Sequence, residues 1–205
     1  MDALSCLLER RSVPAHLLGE PVPEGAELTE ILATAMRAPD HGALTPWRFL
    51  MVRGAARERL GELFAAHQRR RDPAADAAAL EKARAKPLRA PLLIGVWAEI
   101  TPDHPKAPEI EQVVATAAAA QNVLNALHAR GYGGILLTGG PCYDDIVKAA
   151  LGLAPKDRMI GFIYAGTPAP GAPVKVRPEP ARFVREWHGP VDAGNPEADG
   201  VAAAD

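Results

Sequence analysis

The chain has 205 residues, of which 23 are basic and 25 acidic, giving a formal net charge of -2. At about 150 residues per domain, this length suits one domain with at most a short appendage. Hydrophobic residues make up 48% and charged residues 23%, a composition typical of a folded globular protein and not of a disordered chain. The balanced charge lacks the basic surplus of nucleic-acid-binding proteins, so we expect no nucleic-acid partner.

The cysteines and the N-terminus bear on the location of the protein. Cys6 and Cys142 lie far apart and show no metal-ligand spacing, so we expect no disulfide scaffold, no structural zinc and a reducing compartment. The first residues combine neither a basic segment nor a long apolar run, so no signal peptide is expected. No window reaches about eighteen uninterrupted apolar residues, so we expect no membrane span. Together these features predict a cytoplasmic protein.

The N-terminal half of the sequence predicts four helices and two strands. Leu4, Leu7 and Leu8 share one face of a short first helix. An apolar stripe over residues 28–36 predicts a second helix, which Pro39 ends because proline cannot continue the helical hydrogen bonding. The elements predicted after it are a strand at 47–52, helices at 60–67 and 74–86, and a strand at 91–98 that is buried on both faces.

The C-terminal half begins with the longest predicted helix, from Glu109 to Arg130. Small or apolar side chains cover much of its circumference, so we expect the core, a partner subunit or both to cover it. Gly131 is placed to end this helix in the left-handed conformation. The remaining elements are a strand at 134–138, a helix at 143–151 and a strand at 158–165. This mixture predicts one layered α/β or α+β domain over residues 1–188, followed by a disordered tail at 189–205.

Common catalytic motifs are missing from the sequence. The two serines, Ser5 and Ser12, lie in no GxSxG motif, which argues against a serine hydrolase. The six histidines form no HExxH pair, and no GxxxxGK[ST] motif occurs. The glycines at 131–134 follow a helix and precede a strand, the reverse of the Rossmann order. We therefore expect no catalytic side-chain nucleophile and no metal site.

Two polar clusters remain as candidates for ligand binding. Arg10, Arg11 and Ser12 follow the first helix and offer two guanidinium groups and a hydroxyl, which are donors that suit a phosphate. Arg37 and His41 flank the loop that follows the second helix and could contact a polar ligand. Taken alone, each cluster is more typical of a solvated surface.

The order and spacing of several motifs point to a family. The chain has RRS after its first helix, MRAPDH at the end of its second, and then TPWRFLMV. It continues with RAPLLI at 89–94, GYGGI at 131–135 and IGFIYAGTP at 160–168. This pattern resembles the flavin-dependent nitroreductase family, specifically its small YdjA-type members. The resemblance covers roughly residues 1–168, and MRAPDH followed by GxGGI is its most specific part.

The resemblance implies a fold, a cofactor and an assembly. The fold would be the FMN-dependent nitroreductase fold, of class α+β, with a central, mainly antiparallel sheet flanked by helices. The assembly would be an intertwined homodimer with FMN at the subunit interface. By match to the motifs, Arg10, Arg11 and Ser12 would hold the phosphate and ribityl end of FMN. Arg37 and His41 would reach the FMN from the other subunit.

The sequence departs from the small relatives directly after GxGGI. Those relatives have a tryptophan, an arginine and a serine that meet the flavin, whereas this chain has Leu136, Leu137 and Thr138. We assign these three positions to the cofactor through their backbone groups, but the charge of the arginine is lost. Lys175 and Arg177 either compensate for it or are solvated. Binding of NAD(P)H is assigned to Ala126, Leu127, His128, Ala129, Arg130 and Gly131.

The implied function is that of an FMN-dependent NAD(P)H oxidoreductase. NAD(P)H would reduce FMN and leave before a nitroaromatic, quinone or similar acceptor enters, in a ping-pong cycle. The reaction would take place at N5 of FMN, so no side chain need act as a nucleophile. Small residues at 117–120 would let the long helix pack closely against its mate in the dimer. The alternatives are a non-catalytic flavin- or nucleotide-binding protein, and an FMN enzyme of biosynthetic dehydrogenation or flavin degradation.

Overall fold

The computed structural model describes residues 2–172, 176–187 and 189. The chain divides into two units, Met1–Val174 and Lys175–Asp205. Among its described residues, the second unit has a single 3₁₀ turn at Pro180–Phe183. Lys175 lies outside the described residues, as does the predicted tail apart from Gly189.

The first unit contains all the helices and strands that surround the candidate site. Its α-helices are α1 (Ala3–Glu9), α2 (Gly25–Ala35), α3 (Ala55–Arg71), α4 (Ala77–Arg84), α5 (Glu109–Ala129) and α6 (Asp145–Ala150). Its strands are β1 (Leu18–Gly19), β2 (Trp47–Arg53), β3 (Leu92–Ala98), β4 (Gly133–Leu137) and β5 (Arg158–Pro168). Short 3₁₀ turns occupy Ala15–Leu17, Lys86–Arg89 and Gly140–Tyr143.

Strand β5 is the centre of a five-stranded sheet. Along one edge it pairs with β3, where Leu92 lies opposite Ala165, and along the other with β4, where Gly133 lies opposite Gly166. β2 extends the sheet beyond β3, and the short β1 pairs with the end of β5. All of these pairings are antiparallel, so the predicted α+β fold with a mainly antiparallel sheet is confirmed.

Helices cover both faces of the sheet, which explains the continuous apolar run of β3. Because successive side chains of a strand point to opposite faces, β3 contributes to two separate cores. Helices α2 and α5 pack on the first face, in a core that includes Ile31, Ile94, Val96, Val123, Leu127 and Ile163. Helix α3 packs on the second face, in a core that includes Leu60, Phe64, Leu93, Phe162 and Tyr164.

Helix α5 ends as the sequence predicts. Gly131 has a φ of 84° and its N–H donates to the carbonyl of His128, while the N–H of Tyr132 donates to the carbonyl of Leu127. This pair of bonds is a Schellman motif, in which a glycine accepts the left-handed conformation at little cost. The motif turns the chain directly into β4, so α5 and β4 lie side by side.

The helices predicted at 60–67 and 28–36 occupy Ala55–Arg71 and Gly25–Ala35. Two other helices begin later than predicted because aspartates cap them. The helix predicted at 74–86 is shorter, since the carboxylate of Asp76 accepts the N–H of Ala79 at 2.7 Å and Lys86 begins a 3₁₀ turn. The helix predicted at 143–151 begins at Asp145, since Asp144 accepts the N–H of Val147 at 2.9 Å. Side-chain capping sets the first turn of each helix.

Several apolar side chains of α1 and α5 face solvent. Leu4, Leu7 and Leu8 are each more than half exposed, as are Ile110 and Val114 on α5. The predicted helices are therefore present, but these apolar faces are not buried by the rest of the chain. In the described part of the chain, no helix combines the length and apolar character needed to cross a bilayer.

The alanines at 117–120 do not form one exposed seam, contrary to the sequence analysis. Ala119 and Ala120 are fully buried in the core formed with α2 and the sheet. Ala118 is half-buried against the same core, and Ala117 is exposed. A helix turns by about 100° per residue, so four successive alanines cannot share one face. The exposed stripe is instead formed by Ile110, Val114 and Ala117.

Candidate functional site

The RRS motif lies beside the first residues of β4. Arg10 ends α1, where its N–H donates to the carbonyl of Cys6 at 3.1 Å. Ser12 then forms a parallel bridge with Gly134, and the N–H of Val13 donates to the carbonyl of Gly134 at 3.2 Å. Two motifs that are more than a hundred residues apart in the sequence are thus adjacent in the fold.

At the other end of β4, a cavity of about 190 Å³ opens next to the predicted cofactor positions. We call it the strand-end cavity. It is lined by Phe64, Lys86, Arg89, Leu137, Thr138, Gly139, Pro141, Cys142, Phe162 and Tyr164. Leu137 and Thr138 are therefore brought to one cavity, whereas Leu136 packs against the core on the opposite face of the sheet. The alternation of side chains along a strand separates these neighbours.

Two cationic residues of the strand-end cavity were not identified from the sequence. Lys86 and Arg89 lie at either end of the 3₁₀ turn that precedes β3, and the guanidinium carbon of Arg89 lies 5.3 Å from the centroid of the Tyr164 ring. Their sequence signal is weak, since it consists only of two basic residues three positions apart before a buried strand. They supply positive charge to a cavity in which Leu137 contributes none.

Burial shapes the protonation of the other cavity residues. It raises the pKa of Cys142 to about 11, against a smaller lowering by the hydrogen bond with Gly139. The thiol therefore stays protonated near neutral pH and is a poor nucleophile. Burial also raises the pKa of Tyr164, an effect that the neighbouring Arg89 partly offsets. Both side chains line the cavity as neutral groups.

The turn after the cavity is attached to α3 through one carboxylate. Oδ2 of Asp144 lies 2.7 Å from Nδ1 of His67 and 2.9 Å from Nη2 of Arg70. Burial acts to raise the pKa of Asp144, but hydrogen bonds from His67 and Arg70 outweigh it and hold the pKa well below its usual range. A Cβ at Gly140 would lie 2.5 Å from Nε2 of His67, so only glycine allows the turn to approach the ring this closely.

The loop that carries His41 has an unusual backbone. Ala43 and Thr45 have φ angles of 52° and 47°, and Asp40 accepts the N–H of Thr45 at 2.6 Å. Such left-handed backbone is uncommon for residues other than glycine and often marks functional loops. Nδ1 of His41 lies 2.6 Å from Oε2 of Glu111 on α5. Within one chain, neither His41 nor the exposed Arg37 lines the strand-end cavity.

The predicted NAD(P)H residues lie at the end of α5 and differ in exposure. Leu127 is fully buried in the core, whereas Ala129, Arg130 and Gly131 are exposed. Arg130 forms an ion pair with Glu30 of α2. His128 and Gly131 line a second cavity together with Arg11, and this cavity shares no residue with the strand-end cavity.

In the part of the chain that is described, no group of three His, Cys, Asp or Glu side chains could hold a metal.

Comparison with known proteins decides the family. The family model of the nitroreductase family matches residues 7–167. The chain is 39% identical over 185 residues to the Escherichia coli K12 protein named "Putative NAD(P)H nitroreductase YdjA", covering 90% of this chain and 98% of that one. The chain belongs to the nitroreductase family. The resemblance predicted from the motifs is confirmed.

Further relatives support membership of the nitroreductase family. A Haemophilus influenzae protein named "Putative NAD(P)H nitroreductase" is 33% identical over 167 residues, covering 82% of this chain and 89% of that one. The crystal structure of a nitroreductase-like family protein from Bacillus cereus matches with a TM-score of 0.77 and 25% identity, covering 92% of this chain and 97% of that one. A Desulfovibrio desulfuricans structure of this fold, in complex with FMN, has a TM-score of 0.66 and 24% identity, covering 93% of this chain and 99% of that one.

The side chains of this nitroreductase-family member suit a flavin mononucleotide. Ser12 forms a bridge with Gly134 and could donate to a phosphate together with Arg10, which lies two residues before it in the RRS motif, and Lys86 and Arg89 line the strand-end cavity. Along β4, the four residues from Gly134 to the cavity extend about 13 Å at roughly 3.3 Å per residue. An elongated mononucleotide with a phosphate at one end and a ring system at the other can bridge such a distance. The donor set therefore fits FMN.

Proposed function

We propose that this protein is an FMN-dependent NAD(P)H oxidoreductase that reduces nitroaromatics, quinones or similar acceptors. The observation that carries the proposal is the strand-end cavity, where Lys86 and Arg89 face the positions that follow the GxGGI motif. The names of the relatives, as NAD(P)H nitroreductases, and the FMN in a structural neighbour support it. When bound, FMN supplies the hydride chemistry, and the protein positions and tunes it.

In this proposal, charged side chains hold the two ends of the cofactor. Arg10 and Ser12 bind the phosphate through charge-assisted hydrogen bonds. Lys86 and Arg89 stabilise the negative charge that develops on the ring when it is reduced, an electrostatic effect that needs no movement of the protein. Leu137 contributes through its backbone and closes the cavity with an apolar side chain.

We further propose that the functional unit is a homodimer. Leu4, Leu7 and Leu8 on α1 leave a large apolar surface exposed, as do Ile110 and Val114 on α5. Exposed apolar side chains grouped in this way on a helix often mark an interface. In the dimer, Arg37 and His41 approach the cofactor of the partner subunit, and Glu111 holds Nδ1 of His41 so that Nε2 faces outward.

The remaining assignments concern the reductant and the location. The exposed end of α5, with Ala129, Arg130 and Gly131, is the proposed contact for NAD(P)H. We propose a cytoplasmic protein because Cys6 and Cys142 are both free thiols buried in the fold, which fits a reducing compartment.

A second candidate function is non-catalytic flavin binding. The neutral Leu137 favours it, because the resemblance to the small family members implies an arginine at this position. Reconstitution with FMN distinguishes the two proposed flavin-dependent functions from any function without flavin. The purified protein should be yellow or should bind added FMN at one molecule per chain. A colourless protein that FMN cannot reconstitute would overturn both flavin functions.

A further inference from the structure

His67 of α3 packs against one wall of the strand-end cavity but is not among the residues that line it. The wall is the turn after β4, and four of its residues line the cavity: Thr138, Gly139, Pro141 and Cys142. Gly140, in the middle of this turn, is the residue that meets the imidazole ring. Only 13% of the His67 side chain is exposed. A buried polar ring in this place calls for an explanation.

The ring is in direct contact with the backbone of the turn. A Cβ added at Gly140 would lie 2.5 Å from Nε2 of His67, 3.3 Å from Cε1 and 3.5 Å from Cδ2. Gly140 begins a 3₁₀ turn, a conformation that alanine also adopts, so the ring requires glycine here. The preceding Gly139 has a φ of 151°, which residues with a side chain rarely adopt. The two glycines therefore serve different purposes, one the bend of the chain and the other the approach of the ring.

A carboxylate fixes the ring through its other nitrogen. Nδ1 of His67 lies 2.7 Å from Oδ2 of Asp144. The same carboxylate accepts two hydrogen bonds from Arg70, at 2.9 and 3.0 Å, and one from the N–H of Val147. Because an ionised carboxylate only accepts, Nδ1 carries the hydrogen and Nε2 faces the turn. The ring cannot rotate away from Gly140 without breaking this bond.

The position of the turn matters for the charges of the cavity. Lys86 and Arg89 line the same cavity from the segment that precedes β3. The cavity volume of about 190 Å³ is small beside the roughly 300–1,000 Å³ of ordinary ligand pockets. A displaced turn would therefore loosen the site and admit water. Fixed charges act most strongly where they are preorganised and water is excluded, and a displacement of about 1 Å can cost about a hundredfold in rate.

We propose that His67 is a positioning residue of the flavin site. Held by Asp144, its ring keeps the backbone of Gly139 and Gly140 in place, and this raises the reduction potential of FMN bound beside Lys86 and Arg89. The inference rests on the proposed function and deepens it, since it assigns control of the same site to a residue that does not touch the cofactor. A purely structural role of His67 would affect stability and leave the potential unchanged.

The reduction potential of bound FMN, measured by equilibrium titration against redox dyes with dithionite as reductant, tests this role. We expect His67→Ala to weaken the binding of reduced relative to oxidised FMN about tenfold, which lowers the potential by about 30 mV for a two-electron couple. Leu28→Ala is the matched control. Leu28 is buried on α2, which packs on the opposite face of the sheet, so this variant should lose stability but keep the wild-type potential. An unchanged potential in His67→Ala would overturn the proposal.

Gly140→Ala tests the contact between the ring and the turn. Its Cβ would collide with Nε2 of His67, so the turn must move and the potential should fall about as far as in His67→Ala. In the double variant His67→Ala/Gly140→Ala the ring is absent, so the second substitution should change the potential little beyond the first. Fully additive shifts would show that the two residues act independently, which would contradict the proposal.

His67→Asn provides a milder variant should His67→Ala fail to fold. Its amide can donate to Asp144 in place of Nδ1, but it has no ring atoms to meet Gly140. We expect stability in urea close to that of the wild type together with a potential lowered about as far as in Gly140→Ala. A wild-type potential in His67→Asn would overturn the proposal, because the contact with the turn would then have no effect on the flavin.

Failure of the proposed function would look different. Dithionite reduces bound FMN whether or not NAD(P)H does, so the potentials remain measurable in a protein that NAD(P)H does not reduce. That result would contradict the oxidoreductase and leave the test of His67 intact. A wild-type protein that binds no FMN would contradict the proposed function and, with it, the role given to His67.

Discussion

Nδ1 of His67 lies 2.7 Å from Oδ2 of Asp144, and this contact attaches α3 to the turn that follows β4. The same carboxylate accepts two hydrogen bonds from Arg70 and caps α6 through the N–H of Val147. Asp144 therefore joins three segments around the strand-end cavity. Its side chain is only 15% exposed, so these bonds are protected from solvent.

Removal of this carboxylate should destabilise the protein. We expect Asp144→Ala to lower the free energy of unfolding by about 2–4 kcal/mol, because hydrogen bonds to a charged group and a helix cap are lost together. Urea unfolding measures the change. The control is Asp145→Ala, whose side chain is 84% exposed and pairs with Lys148. Its loss should stay within about 1 kcal/mol, and equal losses in the two variants would contradict the role given to Asp144.

The low pKa of Asp144 predicts how stability depends on pH. The pKa of Asp144 in the folded protein lies below the ordinary value of 3.8. At pH values between the folded and the unfolded pKa, the unfolded chain therefore binds more protons than the folded one. The stabilisation is therefore complete above the unfolded value and is lost as the pH falls from there through the folded value. Unfolding experiments at about pH 5 and about pH 3 should show a larger loss for the wild type than for Asp144→Asn. Parallel losses would rule out this carboxylate as the source.

The proposed phosphate contact of Arg10 leads to a prediction on cofactor affinity. Loss of one charge-assisted hydrogen bond should weaken FMN binding roughly ten- to a hundredfold in Arg10→Ala. Fluorescence titration of the apoprotein with FMN measures the affinity. Arg69→Ala, on the exposed side of α3, is the control and should bind FMN as the wild type does. Retention of wild-type affinity by Arg10→Ala would refute the assignment.

The cations of the strand-end cavity should affect reduction more than binding. We expect Lys86→Met and Arg89→Gln each to slow reduction of the bound flavin by NAD(P)H about ten- to a hundredfold, because charge that stabilises the reduced ring is lost. Lys82→Met, in the last turn of α4, changes the net charge equally without lining the cavity. A slowing of the same size in that control would assign the effect to net charge alone.

The proposed dimer predicts that two substitutions act differently. Ala117→Arg places a charge in the exposed stripe of α5, and burial of an unpaired charge at an interface costs several kcal/mol, so we expect this variant to lose dimer and FMN together. His41→Ala should lose FMN affinity while the dimer persists. Sedimentation detected at both flavin and protein wavelengths distinguishes them. A wild-type monomer that carries tightly bound FMN would contradict the shared site.

The features that the sequence predicts well depend on local chemistry. The buried run of β3 and the glycine that ends α5 follow from the residues of those segments alone. The contact of His67 with Asp144 spans 77 residues, and Lys86 reaches the strand-end cavity only through the packing of β3 against β5. Long-range contacts of this kind have no periodic signal in a single sequence. The same holds for α1. The spacing of its apolar residues predicts a helix, but it does not predict which surface contacts Leu4 and Leu8.

Anaerobic stopped-flow absorbance of the FMN-loaded protein tests the central claim most directly. After mixing with NADH or NADPH, the flavin absorbance should bleach within the time of a catalytic turnover, and a nitroaromatic or quinone added afterwards should restore it. That sequence of events demonstrates both halves of a ping-pong oxidoreductase. A flavin spectrum that neither nicotinamide nucleotide bleaches would contradict the proposed activity and favour a non-catalytic flavin-binding protein.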